Sequence, residues 1–279
     1  MKTVHDFVAM KARGEKIVML TAYDCPGARL AEEAGVDVVL VGDSLGMVVL
    51  GYESTVPVTM DDMLHHTRAA RRGARQTFLI TDMPFLSYHI STAQALENAG
   101  RLVQEGGCEA VKVEGGEEIA PQVQALTRAG IPVCAHVGLT PQSVTALGGY
   151  KVQGRTAEAA RKLLDDALAL EAAGAFMVVL ECIPAQVAEL ISQRLSIPTI
   201  GIGAGAACDG QVLVYHDVLG LFERFVPKFV KRFETLGQKS RDALAEYARE
   251  VRDGVFPQAE HSFSMQEEEL RRIYGSGQG

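Results

Sequence analysis

Apolar, β-branched runs alternate with stretches of helical spacing along the chain, and the runs end in a consistent way. Val38-Val-Leu-Val-Gly stops at Asp43, and Phe78-Leu-Ile-Thr stops at Asp82. Ala110-Val111 leads into Lys112-Val113-Glu114, Val133-Cys134-Ala135 stops at His136, and Phe176-Met-Val-Val-Leu stops at Glu181. A continuous apolar run with polar residues only at its C-terminal end reads as a parallel strand buried on both faces. In alternating β/α folds, ligands bind where such strands end. The pattern therefore predicts an active site at one mouth, built from Asp43, Asp82, Lys112, Glu114, His136 and Glu181.

Strands are predicted near 17–22, 36–42, 78–82, 110–114, 132–136, 176–181, 198–203 and 211–215. Helical spacing fills most gaps, most clearly over 60–72, 92–105, 117–129, 156–173 and 185–194. A weak repeat runs through them. Leu30-Ala-Glu-Glu-Ala-Gly, Leu102-Val-Gln-Glu-Gly-Gly and Leu168-Ala-Leu-Glu-Ala-Ala-Gly each precede a strand and read as helix ends closed by a left-handed glycine. Gly130-Ile-Pro-Val and Ser196-Ile-Pro-Thr place proline where a strand begins and its missing N–H costs little. Eight β units with helical crossovers favour a (β/α)8 TIM-type barrel with its site at the C-terminal strand ends. The gap between strands seven and eight is too short for an ordinary helix. Residues 1–263 are read as a single domain, with 234–253 an added polar helix and 264–279 a flexible tail. Within that tail, Met265 onward reads as at most a short solvated helix, frayed from Gly275.

Composition narrows the function. A length of 279 residues and 47% apolar content suit one large barrel. A net charge of −8 argues against nucleic acid or an anionic membrane as the main partner. No apolar run is long enough to span a bilayer, and the start lacks a signal peptide's apolar core. Cys25, Cys108, Cys134, Cys182 and Cys208 are odd in number and widely spaced, as expected of reduced thiols in a cytoplasmic protein.

At the mouth, Asp43, Asp82 and Glu114 have a plain alternative role as helix caps. The residues after them, Ser-Leu-Gly-Met, Met-Pro and Gly-Gly, do not open a helix directly, which favours a functional cluster. Oxygen ligands without a Cys/His set suit a hard cation such as Mg²⁺. Lys112 and Glu114 are two apart on one strand and face the same side. Lysine there can meet a substrate carboxylate or a developing enolate as a point charge. His136 reads either as a hydrogen-bonded core histidine or as a substrate contact. Glu181 ends a wholly apolar run, where burial would raise its pKa and make it a usable general base. Ile200-Gly-Ile-Gly-Ala-Gly reads as a tight βα turn or, alternatively, as a phosphate loop of a nucleotide-binding protein.

Taken together, Thr21-Ala-Tyr-Asp, Val41-Gly-Asp-Ser-Leu-Gly-Met, Pro57-Val-Thr, Asp82-Met-Pro-Phe and Lys112-Val-Glu-Gly-Gly resemble the ketopantoate hydroxymethyltransferase family. His136-Val-Gly-Leu-Thr-Pro-Gln-Ser, Gly148-Gly-Tyr-Lys-Val-Gln-Gly, Leu180-Glu-Cys-Ile-Pro, Ile200-Gly-Ile-Gly-Ala-Gly, Asp209-Gly-Gln, Pro227-Lys-Phe and Glu260-His-Ser-Phe continue the match. It covers about residues 3–263, and the tail beyond inherits nothing. The resemblance implies a cytoplasmic, Mg²⁺-dependent (β/α)8 enzyme of pantothenate biosynthesis, usually a homodecamer of dimers. It implies transfer of a hydroxymethyl group from 5,10-methylenetetrahydrofolate to 3-methyl-2-oxobutanoate, giving 2-dehydropantoate. By motif, Asp43, Asp82 and Glu114 would form the metal site, Asp43, Ser44, Asp82 and Lys112 would hold the ketoacid, and Glu181 would accept the proton. The leading alternative on the same fold is a lyase or mutase of the phosphoenolpyruvate/isocitrate lyase group, whose Lys-Lys-Cys-Gly-His stretch is missing here.

Overall fold

Alternate positions along each strand feed two separate apolar cores. In the computed structural model, which describes residues 1–146 and 148–275, eight parallel strands close into a barrel in chain order. They are β1 (Ile17–Thr21), β2 (Val38–Val41), β3 (Phe78–Asp82), β4 (Ala110–Glu114), β5 (Val133–Gly138), β6 (Met177–Glu181), β7 (Thr199–Ile202) and β8 (Gly210–Leu213). Each strand lies within two residues of its predicted bounds. Outward-facing Val39, Leu79, Val111, Val133 and Val178 pack against helices. Inward-facing Val38, Ile80, Ala110, Cys134, Met177 and Ile200 fill the barrel. All five cysteines are free thiols.

The helices are α1 (Val4–Ala12), α2 (Cys25–Glu33), α3 (Leu45–Val48), α4 (Met60–Gly73), α5 (Thr92–Arg101), α6 (Ala120–Arg128), α7 (Ala157–Ala172), α8 (Ala185–Arg194), α9 (Tyr215–Val218), α10 (Leu236–Arg252) and α11 (Glu267–Gly275). The predicted helix over 92–105 is α5 followed by a π-helical turn, Leu102–Gly106. The one over 117–129 begins as a 3₁₀ turn, Glu117–Ile119, before α6. Helix α1 was not anticipated from apolar spacing. Its signal is a capping box, in which Thr3 accepts from Asp6 N–H and Asp6 accepts from Thr3 N–H at 2.7 Å. The helix drives Phe7 into the base of the barrel, with ring centroids 5.1 Å from Phe78 and 6.4 Å from Phe176. Phe7 is fully buried, so this end is plugged.

As expected, no helix lies between β7 and β8, and α9 is a single turn. The outer faces of β1 and β8 are therefore bare. Val18 is 50% exposed and Gln211 is exposed. Helix α10 stands off the barrel with no buried residue, and Leu244, Tyr247 and Val251 lie open along it. Helix α11 likewise buries nothing. The expected frayed end from Gly275 falls, beyond that residue, outside the described residues. No helix among the described residues is long and apolar enough to cross a membrane.

Candidate active site

At the C-terminal ends of the strands the inward column changes from apolar to ionisable. Asp82 pairs in register with Lys112, and Glu114 with His136. Asp43 follows β2 and turns its backbone inward, so that its N–H donates to Asp82 Oδ2 at 3.0 Å. A Cβ at Gly42 would meet Ser44 Oγ at 2.9 Å, so glycine leaves room for that hydroxyl beside the turn. The sequence expectation that no helix opens after Asp43 is corrected here, since one-turn α3 starts at Leu45. Neither Asp43 nor Ser44 caps it through a side chain. Asp43 Oδ2 instead accepts from Gln142 Nε2 at 2.9 Å, and Ser44 Oγ pairs with Tyr23 Oη at 2.8 Å.

Asp43, Asp82 and Glu114 are all buried, and a carboxylate oxygen from each lies within 4.8 Å of the others. Lys112 Nζ stands 3.1 Å from Asp82 Oδ1 and 3.3 Å from Glu114 Oε1. Burial, Glu114 and Asp82 push the Asp43 carboxyl well above the usual carboxylate range. Burial likewise raises Asp82, with Lys112 opposing it and Glu114 adding to it. For Glu114 burial is outweighed by Lys112 and His136, which bring it down to about 2. Burial works against the Lys112 charge, but Asp82, Glu114 and Asp43 outweigh it and hold the ammonium well above its ordinary pKa. The buried Asp82 Oδ1 has the Lys112 ammonium as its one partner, without the angle of a good hydrogen bond. Three converging oxygen donors and the mutual repulsion that raises two of them fit a hard divalent cation such as Mg²⁺.

His136 is drawn into the same cluster. Its Nδ1 lies 3.2 Å from Glu114 Oε1, and its Nε2 lies 3.4 Å from Glu181 Oε2 on the neighbouring strand β6. Burial and Lys112 disfavour its charge, yet Glu114 wins and raises the imidazole to about 9. Glu181 is less enclosed than its apolar run suggested, with its side chain 15% exposed to the cavity. The backbone around it is tightly held. Cys182 takes φ +48°, an uncommon conformation for a non-glycine residue. Glu181 C=O accepts from Leu139 N–H at 2.9 Å, and a Cβ on Gly138 would come within 2.3 Å of that oxygen.

Two residues of this cluster were not singled out from sequence. Gln142 is 4% exposed, donates Nε2–H to Asp43 and to Met83 C=O, and donates its backbone N–H to Glu114 Oε2 at 3.1 Å. Tyr88 Oη accepts from Glu114 N–H at 2.9 Å and lies 2.9 Å from Gln142 Oε1. Gln142 sits inside the His136–Ser143 motif, but nothing in its spacing reveals that it bridges two acids.

The cluster forms one wall of a cavity of about 420 Å³, within the range of roughly 300–1,000 Å³ typical of small-molecule sites. Its other walls are largely apolar, from Leu40, Val179, Ile202 and Val212 to Phe229. The glycine run after β7 does not lead into a helix, because β8 begins at Gly210. A Cβ on Gly203 would meet the Phe229 ring at 2.7 Å, so close packing accounts for that glycine. The phosphate-loop alternative loses the helix N-terminus it needs.

A family model described as Ketopantoate hydroxymethyltransferase matches residues 1–259. The chain belongs to this family. A 3-methyl-2-oxobutanoate hydroxymethyltransferase of Geobacillus kaustophilus is 60% identical over 279 residues, covering 100% of both chains. One of Bacillus cereus is 59% identical over 278 residues, again covering 100% of both. Among solved structures, a phosphonopyruvate hydrolase complexed with oxalate and Mg²⁺ superposes with a TM-score of 0.62 at 15% identity, covering 99% of each chain. A 2,3-dimethylmalate lyase of the PEP mutase/isocitrate lyase superfamily gives 0.57 at 16% identity, covering 99% of this chain and 100% of its own. At such identities the likeness extends to the barrel alone. The family membership rests on the full-length relatives, which places the chain among hydroxymethyltransferases rather than the lyases of the same fold.

Proposed function

We propose that the protein transfers a hydroxymethyl group from 5,10-methylenetetrahydrofolate to 3-methyl-2-oxobutanoate, giving 2-dehydropantoate and tetrahydrofolate in pantothenate biosynthesis. The observation that carries this reading is the convergence of Asp43, Asp82 and Glu114 on Lys112, with Glu181 across the same cavity. Mg²⁺ held by the three carboxylates would supply a Lewis acid to the keto and carboxylate oxygens of the ketoacid.

The protein groups divide the remaining work. Lys112 and Ser44 hold the anionic ketoacid, and the Lys112 ammonium faces the negative charge that develops as C3 loses its proton. Glu181 takes that proton. His136, set between Glu114 and Glu181, orients the base and contacts substrate. C3 then bonds to the methylene carbon of the donor, and water supplies the hydroxyl as the bond to the folate nitrogen breaks. The apolar walls keep bulk water from C3 until that step.

The same reading includes a cytoplasmic homodecamer, one domain over 1–263 and a dispensable tail. The bare outer faces of β1 and β8, and a helix α10 that buries nothing within its own chain, support contact between copies.

Exchange of the C3 proton tests the chemistry. Protein, Mg²⁺ and 3-methyl-2-oxobutanoate in D₂O, without folate, should replace the C3 proton and collapse the methyl doublet in the proton NMR spectrum. Chelation of the metal should stop it. Absence of exchange by the native protein would sink the reading of Glu181 as a base acting ahead of the folate.

A further inference from the structure

The catalytic cluster leaves one buried acid of the cavity unused. Asp217 lies on α9, directly after β8, and lines the same cavity as the acid triad. It is 8% exposed, and among the described residues its carboxylate has no hydrogen-bond or ion-pair partner. Arg232, the cation that acts on it, instead donates to Phe222 C=O at 3.3 Å. The Asp217 oxygens are not among the fully buried unpartnered atoms, so a residue that is otherwise buried presents an unpaired carboxylate to the cavity, where donors can meet it. Burial raises it to about 6, against the Arg232 charge, in keeping with an acid that awaits a partner.

Its surroundings say what kind of partner. The segment that follows α9 lines the same cavity with Phe222 and Phe229, and with Phe225 at its open rim. Phe229 lies over the glycine turn at Gly203, which admits nothing larger. Aromatic faces beside a lone acceptor suit a flat heterocycle with a donor edge. At the outer rim, Lys151 and Lys228 line the cavity and are exposed to solvent. Neither forms an ion pair among the described residues. They suit an anionic tail that points outward.

We propose that Asp217 and the Phe222–Phe229 segment form the pterin subsite of the one-carbon donor. The carboxylate would accept two hydrogen bonds from the ring's N3–H and 2-amino group, and the glutamate tail would run toward Lys151 and Lys228. This rests on the hydroxymethyl-transfer reading above, which supplies the donor, and extends it to a residue and a ring edge.

Binding measurements separate the two. In isothermal titration with Mg²⁺ present, Asp217→Asn should weaken tetrahydrofolate binding on the order of 10–100-fold, the loss expected when a charged acceptor is removed from a paired donor edge. Binding of 3-methyl-2-oxobutanoate should change little, and circular dichroism should match the native protein. The native protein should also bind a 2-desamino tetrahydropterin less tightly than the 2-amino ring, and Asp217→Asn should lose that preference. Equal tetrahydrofolate affinity in the Asn variant, or no preference for the 2-amino ring in the native protein, would overturn the subsite. If the native protein exchanges the ketoacid C3 proton while Asp217→Asn leaves folate affinity intact, this inference fails and the transfer reading stands. If no exchange occurs but the 2-amino preference is present, the enolisation step fails and the subsite stands.

Discussion

The two ends of the barrel use acidic residues in opposite ways. At the N-terminal end each acid meets backbone N–H groups. Asp37 accepts from Val18 at 2.8 Å, Glu109 from Leu79 at 2.7 Å and Asp209 from Thr199 at 2.8 Å. Glu32 accepts from Gln76 and Thr77, and Glu171 from Ser196 and Ile197. At the C-terminal mouth Asp43, Asp82 and Glu114 crowd one another around the single ammonium of Lys112. The first arrangement ties neighbouring strands together and lowers the energy of the folded chain. In the second, Lys112 and His136 settle Glu114, but Asp43 and Asp82 remain raised by burial and by the carboxylates beside them. Buried acids point to function when they crowd one another, and to structure when each meets its own backbone donors.

Substitutions at each end test that contrast, and the largest effect belongs to the mouth. Glu181→Gln should slow C3 proton exchange by about 10²–10⁴-fold with no loss of thermal stability. Native-like exchange by this variant would reassign the base, with His136 next in line. Asp82→Asn should raise the Mg²⁺ concentration needed for half-maximal activity by on the order of 10–100-fold or more. Its Tm in chelator should equal or exceed that of the native protein, because a repelling charge has gone. An unchanged Mg²⁺ requirement would remove Asp82 from the metal site.

The opposite end should answer in stability alone. Glu32→Gln should cost about 1.5–3 kcal/mol in denaturant titrations and leave turnover per folded molecule unaltered. Its pH signature has a definite sign. Burial works against the Glu32 charge, but hydrogen bonds from Gln76 and Thr77 outweigh it and lower its pKa. Its stabilisation is therefore present above the unfolded value near 4.5 and is lost as pH falls through the lower folded value. Asp217 has the reverse sign. It is raised from 3.8 to about 6, so the native protein loses stability as pH rises through that window. Asp217→Asn should remove that loss and be more stable than the native protein at pH 7. A variant less stable than the native protein at pH 7 would contradict it. The smallest effect is expected beyond both ends, where removal of residues 265–279 should leave assembly and activity intact. A change of sedimentation coefficient beyond the lost mass would disprove that.

The mouth was legible because β4 carries Lys112 and Glu114 on one face, a spacing that survives any uncertainty in strand ends. The repeat ahead of the strands was also visible, although not its purpose. Glu32 and Glu171 each stand three residues before the closing glycine and reach toward the strand after next. Glu105, at a comparable place, pairs with Arg68 on the surface instead. Other features depend on contacts far apart in sequence. Gln142 becomes a brace only when Asp43 and Glu114 are brought to it. His136 stayed ambiguous because its role depends on Glu181, 45 positions away in sequence but on the next strand of the barrel. Asp217 gave no signal, since its burial depends on the segment that follows it. Helix α1 was missed because its capping box outweighs a weak apolar pattern.

The Phe7 plug has a kinetic consequence. A barrel sealed at its base is a cul-de-sac, with arrivals and departures sharing one doorway. The ketoacid contacts proposed above lie at the strand ends, whereas a folate reaching toward Lys151 and Lys228 would occupy the threshold above them. The small reactant should then have to load before the large one, and product should leave only after the folate has gone. Steady-state kinetics should follow a compulsory order, and patterns in which either reactant enters first would contradict it.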